Sequence, residues 1–435
     1  MTTAALKTKA ERSLAADFAA RSGELPGHGP VAAARVAAMA AFERAGLPHR
    51  RVEAWKYTDL RAVLKEFAPI AGSAQAAVSA AELEAALGVF ARLDAERMVF
   101  VNGRYRAELS TAAPQVNLFT LGEVLNSGGS LAALSADEAM VALNGALATD
   151  GAVIDLADDV KLSKPVLIVA VAAGPSAQLT GLRHAVKLGV GAAATVIEVH
   201  VSLSGAEASQ SNSVLEIAVG DGAALTHMLV GLEGLSATHI ETIIATLGAR
   251  ATLKSFQLTA STGLARNQMF TRFAGEGAKL DISGLMLAGG REHIDTTLVI
   301  DHAVPNCESR ELFKAVLDNT ARAVFQGKVI VRPHAQKTDG KQMAKALMLS
   351  EACEFDSKPE LEIYADDVVC GHGATVAEID PAMMFYLRSR GIPKDQARAM
   401  LIESFVGEAL EKIDNESLRD VLSEIARGWL AARQV

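Results

Sequence analysis

A short glycine–alanine turn that returns four times at nearly constant spacing constrains this chain more than any other feature. Gly189-Val190-Gly191-Ala192, Gly220-Asp221-Gly222-Ala223, Gly248-Ala249-Arg250-Ala251 and Gly275-Glu276-Gly277-Ala278 begin 31, 28 and 27 residues apart. A short strand-like run follows each, as in Thr195-Val196-Ile197 or Leu225-Thr226-His227-Met228-Leu229. A period of this length, with strand before and after every turn, is the mark of a solenoid. One coil cannot bury its own apolar face, whereas successive coils paired edge to edge can. Glycine at each corner is expected to supply a positive φ, and the neighbouring alanine to fit a tight bend. A β-sandwich is the alternative for strands punctuated in this way. A dinucleotide-binding fold is excluded, because each turn leads into alternating β-branched residues and not an Ala/Leu-periodic helix. Gly327-Lys328 and Gly340-Lys341 lack the upstream glycine of a P-loop.

The solenoid texture holds from about Val160 to Val376. Within it Val196, Glu198, His200 and Ser202 face one way and Ile197, Val199 and Val201 the other. The preceding residues read as helical: Ala32 to Ala45, stopped by Gly46-Leu47-Pro48; Ser79 to Leu93, opened by a Ser79/Glu82 capping box; and Leu121 to Leu147, interrupted at Gly128-Gly129. A small strand pair is expected near Met98 to Tyr105. After Asp380 come helices Pro381 to Arg390, Lys394 to Ile413 and Ser417 to Ala432. Ala397, Leu401, Phe405 and Ala409 make one stripe of the middle helix, with Met400 and Ser404 alongside. These tail helices are expected either to cap the open end of the solenoid or to bind a partner. The expected organisation is mainly β: a helical region at 1–150, a parallel β-helix at 151–378 and a helical region at 379–435.

Composition narrows the function classes. Half of the 435 residues are hydrophobic, only 5% are aromatic, and the net charge is −9. Small side chains suit stacked layers, and an acidic chain without a basic stripe gives nucleic acid no electrostatic foothold. No apolar run is long enough to cross a bilayer, and Met1 to Gly27 does not read as a signal peptide. Cys307, Cys353 and Cys370 are too few for a disulfide framework, which points to a reducing cytoplasm.

The sharpest chemical cluster is Cys370-Gly371-His372-Gly373-Ala374-Thr375, whose Gly371 to Ala374 matches the recurring turn. A thiolate and an imidazole two residues apart suit iron or zinc but are too few to close a site. From spacing alone, a turn histidine beside a buried cysteine is the favoured reading. Asp301-His302-Ala303-Val304-Pro305-Asn306-Cys307-Glu308 reads as a structured corner with a buried thiol. His184, His200, His227, His239 and His293 lie scattered over strands without ligand spacing. A β-helix carbohydrate-active enzyme would need clustered carboxylates, for which Asp281, Glu292 and Asp295 are the candidates; no nucleophile or paired-carboxylate signature supports it.

Several stretches resemble the SufD family of the SUF iron–sulfur cluster assembly system. They are Leu317-Asp318-Asn319-Thr320-Ala321-Arg322-Ala323-Val324-Phe325-Gln326-Gly327-Lys328, Ala335-Gln336-Lys337-Thr338-Asp339, Lys358-Pro359-Glu360-Leu361-Glu362-Ile363-Tyr364-Ala365-Asp366-Asp367-Val368 with its continuation through Cys370 and His372 to Ile392, and Glu53-Ala54-Trp55-Lys56-Tyr57-Thr58-Asp59-Leu60. The resemblance implies a right-handed parallel β-helix between helical regions, in a non-catalytic scaffold subunit. It implies pairing of the last β-helix strands with the paralogue SufB, and a transient iron–sulfur cluster shared with it. His372 would be the metal ligand facing a SufB cysteine, and Cys370 matches the motif's cysteine; Gly371 stands where the family often carries a hydroxyl residue. It further implies docking of the ABC-type ATPase SufC on the C-terminal helices, through Pro381, Phe385, Tyr386, Leu387, Arg390, Met400, Leu401 and Phe405. Whether reduced flavin joins the assembled complex, and whether the chain forms a homodimer alone, stay open. SufB itself is a second reading, disfavoured because no cysteine precedes Cys307.

Overall fold

Two long parallel sheets face each other in the computed structural model, which describes residues 7–72, 76–111, 117–129, 138–206 and 208–433. The first sheet runs through Glu96–Val101, Val166–Ala172, Ala193–Ser202, Ala224–Leu232, Thr252–Ala260, Lys279–Ala288, Glu308–Leu317, Asp339–Met348 and Val369–Ala377. The second runs through Ala152–Leu156, Arg183–Leu188, Gln210–Val219, Gly234–Leu247, Thr262–Phe273, His293–His302, Arg322–Val331 and Glu354–Ile363. The chain crosses from one sheet to the other at every turn, so each coil adds one strand to each, and all these neighbours pair in parallel. That is a β-helix. A sandwich of antiparallel strands is ruled out.

The corners show two glycine roles where the sequence suggested one. The positive φ belongs to the third residue of each turn: Gly191 at 66°, Gly222 at 65°, Arg250 at 55° and Gly277 at 72°, continued by Asn306 and Lys337 at 61° each. Its N–H donates to a corner carbonyl of the next coil, from Gly191 to Asp221, Gly222 to Ala249, Arg250 to Glu276, Asn306 to Gln336 and Lys337 to Asp367. The opening glycine is needed for close approach instead. A Cβ on Gly220 would lie 2.7 Å from Leu188 O, on Gly248 2.9 Å from Asp221 N, and on Gly275 2.0 Å from Ala249 N.

Gly371-His372-Gly373 is not such a corner. It lies inside the final strand Val369–Ala377, and the last corner is formed earlier, where Asp367 receives the Lys337 N–H. Sequence likeness misleads here because Gly-x-Gly-Ala fits an extended strand as well as a bend when nothing packs beyond it.

The interior is filled by side chains such as Val196, Leu225, Leu253, Ile282, Phe313 and Phe325. Both outer faces are covered too. Helices Lys9–Arg21, Pro30–Ala45 and Ala139–Leu147 pack with Ile240 and Leu264 of the second sheet. Lys394–Leu410 and Glu416–Ala432, with Ala80–Leu87, bury Ile197, Val199, Met228, Phe256 and Leu285 on the first. The tail helices therefore lie along a flank and do not cap the open end, because the flank's apolar surface demands cover along its whole length. The buried residues of the middle tail helix are Ala397, Ile402, Val406, Ala409 and Leu410. Ala397 and Ala409 of the expected stripe are buried, but Leu401 and Phe405 are half-buried and Met400 is exposed, so the covered face is turned partway toward Ile402 and Val406.

Helix limits follow local chemistry. Ala80–Leu87 ends as an α-helix at Gly88 with φ 52°, and a 3₁₀ turn, Gly88–Arg92, carries it to the expected limit at Leu93. The expected helix at 121–147 comprises Leu121–Asn126 and Ala139–Leu147; residues 130–137 lie outside the described residues. Lys9–Arg21 was not anticipated, although its Thr8/Glu11 capping box is visible in the sequence.

The two ends differ. At the start, the antiparallel strands Arg104–Tyr105 and Asn117–Thr120 close the edges of the first and second sheets. At the finish, no strand among the described residues pairs with the outer edges of Val369–Ala377 or Glu354–Ile363.

Candidate functional site

The open last coil is where the sequence motif and unpaired backbone coincide. In a parallel sheet a residue directs both its N–H and its C=O to the same neighbour, and alternate residues face opposite neighbours. Val369 N–H donates to Thr338 O in the preceding coil, so Cys370, His372, Ala374 and Val376 direct their backbone groups outward, away from it. Exposed edges of this kind are templates for another strand.

The side chains of Cys370 and His372 share the inward face. Cys370 pairs with Gly340, and His372 with Gln342, which in turn pairs with Glu311. Gln342 and Glu311 are each 3% exposed, whereas His372 is exposed only because the stack ends above it. The result is a polar column, His372–Gln342–Glu311, rising to the mouth of the solenoid. Burial pushes the Glu311 carboxyl up to about 8, so it is protonated at neutral pH. Gly327 makes room for the column from the facing sheet, since a Cβ there would lie 2.0 Å from Gln342 Oε1. Glu311 and Gln342 were not anticipated; stepping back from His372 by one and two coil lengths would have found them.

Cys370 is half-buried, and burial raises its thiol above the ordinary range, so the thiolate needs a metal or a base to form. One imidazole and one thiol supply two of the roughly four ligands that a metal centre takes. Cys307 and Cys353 are buried, with Cys353 Sγ 2.9 Å from Ser350 O. His302 is also buried, stacked on Phe273 and 3.1 Å from Ser309 Oγ.

The first tail helix, Pro381–Ser389, buries none of its residues. Phe385 is 75% exposed and Tyr386 56%, Pro381 and Arg390 are exposed, and Leu387 is half-buried. Arg390 lies over the Tyr386 ring. Phe405 is partly committed elsewhere: Lys314 Nζ sits 4.2 Å from its ring centroid and donates to its carbonyl.

The carboxylates considered for an enzyme are not assembled. Asp295 pairs with Arg266, Glu292 with Arg433 at 2.9 Å, and Asp281 with Lys412 at 3.6 Å. The Glu53-to-Leu60 stretch docks on late coils instead. Trp55 stacks on Arg266 at 3.9 Å, Ala54 O accepts from Arg266 and Gln326, and Glu53 pairs with Lys358 at 2.6 Å. His293 is 2.9 Å from Thr58 Oγ1. The other four strand histidines converge with glutamates inside the stack.

Comparison with known proteins places these features in context. Residues 171–405 match the family model described as SUF system FeS cluster assembly, SufBD core domain, and residues 28–168 match the SufBD protein N-terminal region. The chain is 35% identical over 389 residues to the iron–sulfur cluster assembly protein SufD of Escherichia coli, covering 88% of this chain and 90% of that one. An iron–sulfur cluster assembly SufBD family protein of Synechocystis is 40% identical over 151 residues, covering 34% of this chain and 33% of its own length. SufD of Bacillus subtilis is 31% identical over 151 residues, covering 35% of each chain. Among the described residues, no helix is long and apolar enough to cross a membrane.

Proposed function

The chain belongs to the SufBD family of iron–sulfur cluster assembly proteins, and from that membership we propose that it is a SufD-type scaffold subunit working through partners. The observation that carries this reading is the last strand. It presents His372 on its inward face and, beside it, a backbone edge that no strand among the described residues pairs with. A SufB strand added to that edge would satisfy the outward groups of His372 and Ala374, and would bring further ligands to an incomplete set. The nascent cluster is cargo of the shared interface, with His372 binding iron as neutral imidazole and Cys370 beside it on the same inward face of the last strand.

The exposed Phe385 and Tyr386, with Pro381, Leu387 and Arg390 on the same helix and Met400 on the next, form the surface read as the SufC dock. Nucleotide-driven movement of SufC would reach the solenoid through the Phe405–Lys314 contact.

The deciding experiment is co-expression with SufB and SufC, purification of the complex and anaerobic cluster reconstitution. His372→Ala is expected to lower cluster yield about tenfold or more in an intact complex. Unchanged yield rejects the ligand role.

Two further substitutions separate the surfaces. Ala374→Pro removes an outward N–H without breaking the bond network to the preceding strand, so the chain should fold yet lose SufB. Phe385→Asp should release SufC and leave SufB bound. Co-purification reads both, and retention of SufB by the proline variant counts against edge pairing. A second copy of this chain on the same edge would appear as a homodimer that SufB displaces.

A further inference from the structure

The interior of the early coils holds a cluster with donors of a different kind. Glu198 and His200 point inward from the strand Ala193–Ser202, and His239 and Glu241 from the facing strand Gly234–Leu247. All four are at most 2% exposed. His200 Nε2 lies 3.9 Å from Glu198 Oε2 and 3.9 Å from Glu241 Oε2, and His239 Nε2 lies 3.7 Å from Glu241 Oε2. The chosen donor atoms of Glu198, His200 and Glu241 all fall within 4.8 Å of one another.

These separations are too long for hydrogen bonds. They are close to the spacing of donors around one cation, because four ligands at about 2.1 Å in a tetrahedron are about 3.4 Å apart and small side-chain rotations would bring these atoms to it. Glu198 Oε2, His239 Nε2 and both Glu241 oxygens have no hydrogen-bond partner among the described residues. Four orphaned atoms on three sealed side chains call for an explanation.

The far ends of the same groups are held. Glu198 Oε1 is 3.0 Å from His227 Nε2, whose Nδ1 is 3.1 Å from Ser255 Oγ. His239 Nδ1 is 2.8 Å from Ser211 Oγ and 3.2 Å from Glu233 Oε2. A histidine tied by a carboxylate through one nitrogen, with the other directed into a cavity of donors, is the outer-sphere pattern of a metal ligand.

We propose that Glu198, His200, His239 and Glu241 form a divalent-cation site sealed inside the solenoid, tying one sheet to the other. Two imidazoles and two carboxylates without thiolate suit ferrous iron, zinc or manganese and not a cluster. Six strand spacings, about 29 Å at ~4.8 Å each, separate it from His372, so it does not depend on the scaffold reading. Because the donors are enclosed, the ion would be trapped as the coils stack and would exchange only on unfolding.

The test uses the full chain expressed with iron(II), zinc(II) or manganese(II), dialysed against a chelator and analysed for metal. About one ion per chain is expected to survive dialysis and to be released in denaturant. Glu241→Gln and His239→Gln, checked for native circular dichroism, should each reduce the content at least about fivefold, while His372→Ala leaves it unchanged. Folded wild-type chain below about 0.1 ion for all three metals overturns the proposal, and so does metal that disappears with His372. The wild-type measurement decides the matter even where a variant does not fold.

Discussion

Asp295→Ala should lower the stability of the chain by about 3–5 kcal/mol and free its N-terminal region for proteolysis. Asp295 and Arg266 are both wholly buried and paired. Thr58 Oγ1 and Thr297 Oγ1 also donate to Asp295. Truncation would leave a guanidinium in the interior with Trp55 against its face, without its paired carboxylate and with only Glu138 in the neighbourhood to offset it, and a poorly compensated buried charge is costly. The loss acts at the place where residues 53–58 clamp onto the coils, so trypsin should cut near Arg50 and Arg51 before the solenoid opens. Replacing both partners with apolar residues should recover most of the stability. Equilibrium unfolding and timed proteolysis read the two parts, and a loss under about 1 kcal/mol would show that the pair does not fasten the region.

Gly275→Ala carries the second large effect, a loss on the order of 3 kcal/mol or more, or failure to fold. Its added carbon would lie 2.0 Å from Ala249 N and 2.5 Å from Ala249 Cα, atoms of the adjacent coil's backbone that cannot rotate away. The coils would have to part, and with them the ladder that links Arg250 to Glu276. Gly371→Ala is the control, since nothing lies within 4 Å of its added carbon. Thermal unfolding of the two variants should therefore diverge widely. Equal melting temperatures would show that the corners tolerate a methyl group.

The solenoid was legible because its constraint is periodic: coil-to-coil contact recurs at every corner, and glycine recurs with it. The identity of the constraint was not. Arg250, Asn306 and Lys337 take the left-handed conformation without looking like glycines, and the true glycine requirement is a contact between coils, invisible within any one turn. His372 was legible through its motif, but the column beneath it needed strand register, which links residues some thirty positions apart. The interior cluster was hidden for the same reason. Glu198 and His200 alternate with valines as a solvent-facing strand would, and only the second sheet reveals that their face is the inside. The tail helices misled in the opposite sense, since an amphipathic pattern says that something is covered without saying what.

The difference between the two ends limits how many bodies can associate. A rod of stacked coils with both ends bare would be self-complementary head to tail and would grow into a fibre. Short antiparallel strands plug one end here, so growth can proceed from the other alone. If edge pairing holds as proposed, joining two such rods by their bare ends would use up the sticky surface of each, and polymerisation would stop at a pair.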